Sequence, residues 1–438
     1  MAGNLGIDSH AYYCAARAQR LGTNPYFAAS LAACEHDSTR GFYRPPGDVT
    51  VPAPYPPYAL ALFAPLTVLP FATAAVTWWI LLAIALLLTA FALARITAQP
   101  WLVGWATIVL SAGLTSFSGG NAMPVALAAL CLGALAVVRS RPTLAAIALA
   151  FAMVEPHVAL PAAIALFVGY PAARLPLALA LGMLGGLSIA AGGAAQTLGY
   201  VFTVIPAHAL SEVSRDNQYS LSTVVAALGA PDSAAAIVGT ISYVLMLAIG
   251  IVVGIVLARR FNEPAIIVLV PPAFSLLGGS FVHVTEISAA LPAALLIFTQ
   301  AKIYRAWLFA AVILLAVPWL MAGSAASFLA PAFPVAYLTY VLWCKERQYV
   351  LFTAVLSFAA IYGLFTIDMI PWPHPTATHA YPPMDPRLAE VSWRALVLGN
   401  STNRPAMWLV RLPTWIGLMA FLIPAPFVAP CRGRRAAT

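Results

Sequence analysis

Residues 71–95 read FATAAVTWWILLAIALLLTAFALAR, and no charged side chain interrupts them before Arg95. The hydrocarbon core of a bilayer is about 30 Å thick and takes about 20 helical residues to cross. This run has that length and is apolar all round, so it reads as a transmembrane helix. The rest of the chain repeats the message. Of 438 residues, 62% are hydrophobic and 8% charged, where a soluble domain carries roughly 25% charged residues. No soluble fold hides that much apolar surface. The fold class is an all-α polytopic membrane protein.

The few charges carry the topology. The formal net charge is +8, but the basic residues stand singly or in small groups between apolar runs, which is not a nucleic-acid footprint. They fall at Arg95, Arg139, Arg141, Arg174, Arg259, Arg260, Lys302, Arg305, Lys345, Arg347, Arg432, Arg434 and Arg435. Short cytoplasmic loops collect lysine and arginine. That rule sends the long polar segments, residues 8–55, 206–220 and 367–408, to the opposite side. Spans are expected near 71–95, 101–117, 120–138, 142–155, 156–170 and 176–205. The second half adds 234–258, 264–277, 281–300, 306–320, 322–342, 348–366 and 411–430. Prolines fall among them at 124, 156, 161, 271, 272, 318 and 334. Broken helices persist in a bilayer where protein or a water-filled cavity satisfies the freed backbone, so the bundle is expected to surround a cavity. Segment 57–69 is too short and proline-bounded to cross. It reads as a helix dipping into the outer leaflet or as the upper part of one broken span.

Cys14 and Cys34 share the first polar loop and read either as a disulfide or as two buried thiols. No Cys/His spacing resembles a zinc site, and no glycine-rich loop precedes the lysine of a nucleotide site. Chemistry is left to the polar loops. Asp8 precedes an apolar and aromatic helical pattern running from Ala11 to Leu21. Two readings stand for it: a helix N-cap, or a carboxylate at the membrane boundary that accepts a proton from an attacking sugar hydroxyl. His10 and Tyr12 lie beside it. Further polar clusters are Glu155-Pro156-His157, the run from Arg215 to Ser220 with Asn217 and Gln218, and the pair His283 and Glu286, three residues apart on one helical face. Satisfied structural pairing is the alternative for each. Residues 370–410 are rich in sugar-binding types, among them Trp372, His379, Trp393 and Arg394. They read as an acceptor-binding loop or as a proline-tied surface loop.

These motifs, in order, resemble a known family. Asp8-Ser9-His10-Ala11-Tyr12-Tyr13 is followed by Gly22-Thr23-Asn24-Pro25-Tyr26, Tyr55-Pro56-Pro57, Pro65-Leu66, Leu69-Pro70 and Trp78. Then come Gly119-Gly120-Asn121, Glu155-Pro156 (where the family usually has Lys-Pro), Asn217-Gln218-Tyr219-Ser220-Leu221 and His283. Together they resemble the glycosyltransferase 87 group of the GT-C superfamily, the polyprenyl-phosphate-sugar-dependent membrane glycosyltransferases, over roughly residues 6–345. The resemblance implies a GT-C-type helical bundle with long outer-face loops: a core over 1–345, then C-terminal transmembrane helices over 346–438 with the outer loop 367–408. It also implies a family helix just before Asp8, for which seven residues leave no room, so an in-frame apolar stretch is expected upstream of Met1.

The activity implied is inverting transfer of a hexose, mannose foremost, from a polyprenyl-phosphate sugar to a lipid or glycan hydroxyl, on the outward face of the inner (plasma) membrane. Asp8 is then the catalytic base. His10, Tyr12, Glu155, Asn217, Gln218, His283 and Glu286 face the donor, and Trp372, His379, Trp393 and Arg394 face the acceptor. No cofactor is implied, since the lipid-linked sugar is a substrate, and no obligatory metal is expected. Partners are the donor, the acceptor and membrane lipids, with no nucleic acid. The competing readings are a lipid or solute transporter, which concentrates polar residues near the midplane in paired repeats, and a catalytically inactive relative.

Overall fold

The computed structural model describes residues 6–37, 44–213, 215, 217–319, 384–400 and 405–430. The expected spans 322–342 and 348–366, with Trp372 and His379, lie outside the described residues. Every regular element among the described residues is helical, and the β contacts are isolated bridges.

Helices α1 (Ile7–Arg20), α2 (Ala28–Glu35) and α3 (Pro57–Phe63) precede the first long span. A Cys14–Cys34 disulfide ties α1 to α2, with the Cα atoms 5.6 Å apart. Helix α3 runs on through a 3-10 turn at Ala64–Val68 and packs against α1. Leu69 (φ −89°, ψ 153°) and Pro70 (φ −55°, ψ 144°) are extended, so this short helix is set off from α4 (Phe71–Thr97) by a break. Next come α5 (Trp101–Ile108), a π turn and α6 (Thr115–Gly119), with a 45° bend across them. Then follow α7 (Met123–Val138), α8 (Pro142–Ala152), α9 (Pro156–Gly169) and α10 (Arg174–Gly199). A second π turn leads into α11 (Ile205–Glu212), and α12 (Leu221–Ala227), α13 (Asp232–Phe261) and α14 (Ala265–Ser275) come after it. The last described helices are α15 (Leu291–Gln300), α16 (Arg305–Ala316), α17 (Ala389–Asn400) and α18 (Pro405–Leu422).

Apolar counting overstates several spans. Helices α8 and α14 have 11 residues each and α16 has 12, which at 1.5 Å per residue gives about 16–18 Å, roughly half of a hydrocarbon core. Among the described residues, three helical stretches are long and apolar enough to cross alone: Phe71–Thr97, Pro171–Glu212 and Asp232–Phe261. Pro124 and Pro156 do not break helices either. They sit in the first turns of α7 and α9, where a missing N–H costs no hydrogen bond. Pro161, Pro271 and Pro272 do lie inside helices.

The bundle has two chemically different ends. At one, Gln300 Nε2 donates to Glu263 at 3.1 Å, the Lys302 N–H donates to the Ala429 carbonyl at 2.8 Å, and Arg260 reaches the Val428 carbonyl at 3.3 Å. Asn121 stands at the other end. The 16 residues of α7 put about 24 Å between it and the basic pair Arg139 and Arg141. Arg139 and Arg141 therefore sit remote from the polar residues described below.

Over the polar end, α1, α2, the segment 44–56 and α17 pack together around an apolar cluster that includes Tyr13, Tyr26, Leu60 and Trp393. Backbone hydrogen bonds from Ala28 to Arg387 and from Ala389 to Tyr26 stitch α17 to the start of the chain. Glu35 is buried here, 1% exposed, and accepts the Val51 N–H at 2.7 Å. Burial pushes its carboxyl up to about 8 from 4.5. A folded state that holds the proton more tightly than the unfolded chain is stabilised only while the group is protonated. That stabilisation is complete below pH 4.5 and is lost as pH rises toward about 8. In detergent, the wild-type melting temperature is expected to fall between about pH 5 and about pH 8 by more than that of Glu35→Gln, which carries no such titration. Parallel curves for the two proteins, recorded by scanning fluorimetry, would refute this account of Glu35.

Candidate active site

At the polar end lies a cavity of about 550 Å³ walled by α1, α11, α17, the turn at 118–121, the junction at 154–157 and the loop 276–286. The loop 276–286 is held in place by close backbone approach. A Cβ on Gly278 would lie 2.5 Å from the Ser242 carbonyl oxygen, so α13 and this loop meet where only glycine fits.

Asp8 enters the wall from the first turn of α1. The N-cap of that helix is Gly6, in the left-handed region and without a side-chain cap bond, which overturns the capping reading of Asp8. Instead Asn121 Nδ2 donates to Asp8 Oδ2 at 3.1 Å and to the Tyr12 hydroxyl at 3.3 Å. The Gly119-Gly120-Asn121 turn makes this approach possible. A Cβ on Gly119 would sit 2.9 Å from Asp8 Oδ2, and one on Gly120, whose φ is +73°, 2.6 Å from Ser9. The Gly120 carbonyl is anchored by Trp78 Nε1 at 2.7 Å. Burial raises the Asp8 carboxyl above the usual aspartate range, partly offset by Arg215 and by the Asn121 hydrogen bond. Two tyrosines extend the network. The Tyr12 and Tyr55 hydroxyls are 2.9 Å apart, and Tyr55 donates to Glu155.

A second network centres on Glu212, which is fully buried. It accepts from Arg215 Nη1 at 3.0 and 3.1 Å, Gln218 Nε2 at 3.0 Å, His283 Nε2 at 3.2 Å and Trp393 Nε1 at 2.8 Å. The other ring nitrogen of His283 lies 2.9 Å from Glu286 Oε1. An imidazole with a carboxylate against each nitrogen donates from both, so His283 is an imidazolium in this arrangement. His157 Nε2 lies 3.1 Å from the remaining Glu286 oxygen, and its Nδ1 is 4.0 Å from Glu155. Carboxylates and basic side chains thus alternate around the cavity. Asp8 is the exception: of the cavity carboxylates Asp8, Glu155, Glu212 and Glu286, it has no ion pair within 4 Å among the described residues.

Of the residues expected from sequence, Asp8, Tyr12, Glu155, Asn217, His283, Glu286 and Trp393 line this one cavity. His10 does not; it is buried and stacks on Phe71 with ring centroids 4.3 Å apart. Gln218 is buried behind the wall, holding Glu212 and the Val282 N–H. Arg394 is buried in an ion pair with Asp232. Sequence reading passed over His208 and Glu212, the hub of the second network. Their signal was a histidine and a glutamate four residues apart on one face of a helix.

Two groups have metal-ligand proximity. In His10, Cys14 and Cys34 the sulfurs are spent in the disulfide. The ligand atoms of His208, Glu212 and His283 lie within 4.8 Å of one another, but both Glu212 oxygens already accept from N–H donors, one of them a guanidinium that repels a cation.

An end-on polar cavity in an apolar helical bundle, lined by Asp8, by ion-paired carboxylates and by the protein's own basic side chains, is a candidate active site in a membrane protein. The chain belongs to glycosyltransferase family 87, whose family model matches residues 54–277. No curated protein matches it, and no solved structure does. The protein is a membrane glycosyltransferase. The matched region contains Tyr55, Asn121, Glu155, His208 and Glu212; Asp8 and His283 flank it.

The glycine requirement gives a direct test. Gly120→Ala must move Ser9 or leave the left-handed region, and either change displaces Asn121 from Asp8. It is expected to cut transfer by about tenfold or more, reflecting the sensitivity of catalysis to ångström misplacement. An unimpaired Gly120→Ala enzyme would show that the turn does not position Asp8.

Proposed function

We propose that this glycosyltransferase moves a hexose, mannose foremost, from a polyprenyl-phosphate sugar to a hydroxyl of a lipid or glycan, with inversion at the anomeric carbon. The observation that carries the reading is Asp8: a half-buried carboxylate on the cavity wall, oriented by Asn121 and, among the described residues, in no ion pair within 4 Å.

In the proposed step the acceptor hydroxyl oxygen bonds to the anomeric carbon as its proton passes to Asp8. The bond from that carbon to the phosphate oxygen breaks, and its electron pair leaves with polyprenyl phosphate. A hydroxyl is a poor nucleophile at neutral pH, so removing its proton in the transition state contributes roughly 10²–10⁴-fold. Arg215 and His283, both on the cavity wall, are suited to the charge that develops on the leaving phosphate. Their own carboxylate partners hold them in place beforehand, which limits reorganisation during the step. Trp393 offers an indole at the same wall, with Arg215 4.9 Å above its ring, and is assigned to the acceptor side. Placement on the outward face of the plasma membrane is supported by the distance of Arg139 and Arg141 from the cavity.

Membranes carrying the protein, supplied with labelled polyprenyl-phosphate mannose, should label a lipid or glycan. Asp8→Asn keeps the shape and hydrogen-bonding capacity but removes the basicity. It should lower turnover by roughly 10²-fold or more with donor binding nearly unchanged. His283→Ala should chiefly weaken donor binding. Near-wild-type turnover in Asp8→Asn would move the base elsewhere in the cavity.

The pH profile is a separate check. A general base works only when deprotonated, and Asp8 is raised by burial. Activity should therefore fall on acidification at a pH above that of an ordinary aspartate, near 3.8. A kcat/KM profile flat down to about pH 4 would remove Asp8 from that role.

A further inference from the structure

Four side-chain atoms on the cavity wall are buried yet have no hydrogen-bond partner; one, His157 Nε2, is in an ion pair with Glu286 at 3.1 Å, which leaves His208 Nδ1, Asn217 Oδ1 and Thr285 Oγ1. His208 and Thr285 are 5% and 7% exposed, so the rest of the protein hides them from solvent. Native proteins leave few such atoms, and those at a cavity mark where a ligand completes the set. The three residues belong to segments that meet at His283. Gln218 and His283 form an isolated antiparallel bridge. Asn217 precedes the first of these and Thr285 is two residues past the second. A ligand atom of His208 lies within 4.8 Å of those of His283 and Glu212. Its ring also meets Phe281 edge-on, with centroids 5.2 Å apart.

The chemistry of the three selects the ligand. An amide oxygen only accepts, so Asn217 Oδ1 calls for a donor and repels a phosphate oxygen. A threonine hydroxyl donates and accepts, and an imidazole nitrogen does one or the other. Glu212 and Glu286 beside them disfavour an anion further. A sugar hydroxyl, at once donor and acceptor, meets all of these needs, and the face of Phe281 suits the C–H side of a pyranose ring. We propose that His208, Asn217 and Thr285 form an uncharged subsite that reads the hydroxyls of the hexose, apart from the Arg215 and His283 cations that face the phosphate. This rests on the reading of the cavity as a hexosyl-transfer site and adds to it the residues that set sugar specificity.

Because these atoms make no bond within the protein, removing them should leave the fold intact. Thr285→Val keeps the volume, and His208→Phe keeps an aromatic ring against Phe281. The full-length protein and both variants are titrated with bare polyprenyl phosphate and with polyprenyl-phosphate mannose and glucose. The wild type should bind one sugar-bearing lipid more tightly than the bare one. Both variants should match it on bare polyprenyl phosphate, melt no lower, and lose about tenfold of the sugar-dependent affinity. Undiminished sugar preference in both variants overturns the subsite, as does equal loss toward bare polyprenyl phosphate, which would make these residues phosphate ligands. Stabilisation of the wild type but not of His208→Phe by Mn²⁺ or Zn²⁺ alone would make it a cation site instead. If the wild type itself ignores the sugar, the hexosyl-transfer reading falls first and the subsite with it.

Discussion

A carboxylate with no exposure to solvent organises the polar half of this protein. Removing an anion from water costs several kcal/mol unless every lone pair is met, and Glu212 is met by Arg215, Gln218, His283 and Trp393. Those partners come from α11 and its exit, from the loop after α14 and from α17, up to 181 residues away in sequence. The demand of one buried charge therefore fixes where three distant segments end. Because His283 also meets Glu286, and Glu286 meets His157, the same demand spreads to the junction between α8 and α9. Truncating Glu212 would take a partner from both Arg215 and His283 at once, so the network is expected to behave as one unit in which single losses do not add.

The cavity is consequently pre-organised on its cationic side and left open on its basic side. Arg215 and His283 are oriented by protein carboxylates before substrate arrives, which suits groups that must stabilise charge without reorganising. Asp8 stands across from them with a single amide donor. A carboxylate paired with arginine or imidazolium is a poor base because the cation holds its pKa down. The alternation of acids and bases around the wall uses up Glu212 and Glu286 in that way; Glu155, whose carboxyl burial raises, is engaged instead by the Tyr55 hydroxyl, and Asp8 is left with Asn121.

How much of this was legible beforehand depended on the range of the interaction. The membrane class could be read from composition, and the short helix α3 from its flanking prolines, because both are local. Asp8 and the Gly119-Gly120-Asn121 turn were visible as motifs, although why glycine is needed appears only when Ser9 is seen against Gly120. Span lengths were misjudged at α8, α14 and α16, since an apolar run continues through a helix break without changing composition. His10 and Gln218 looked like site residues because they are polar and adjacent to ones that are. Helical and bridge geometry turns them away, His10 onto Phe71 and Gln218 behind Glu212. His208 and Glu212 escaped notice because they end a long apolar helix, and their partners are defined only by the fold.

The order of the hydrogen bonds around Asp8 explains how it stays basic despite its polar neighbours. Asn121 Oδ1 accepts the Met123 N–H at 2.9 Å, which fixes the amide so that its NH₂ faces Asp8 and Tyr12. Tyr55 has one hydroxyl proton and two neighbours, Tyr12 and Glu155. Against an ionised Glu155 that proton goes to the carboxylate, the stronger acceptor. The 2.9 Å contact between the tyrosines must then be supplied by Tyr12. With Glu155 ionised, every proton in the chain points from Asn121 toward Glu155, and Tyr12 has none left to turn toward Asp8. Stripped of that second donor, the Asp8 carboxylate keeps an affinity for protons that two hydrogen bonds would have lowered. Glu155, whose carboxyl burial raises, thus sets the direction of the chain by its own ionisation, without touching Asp8.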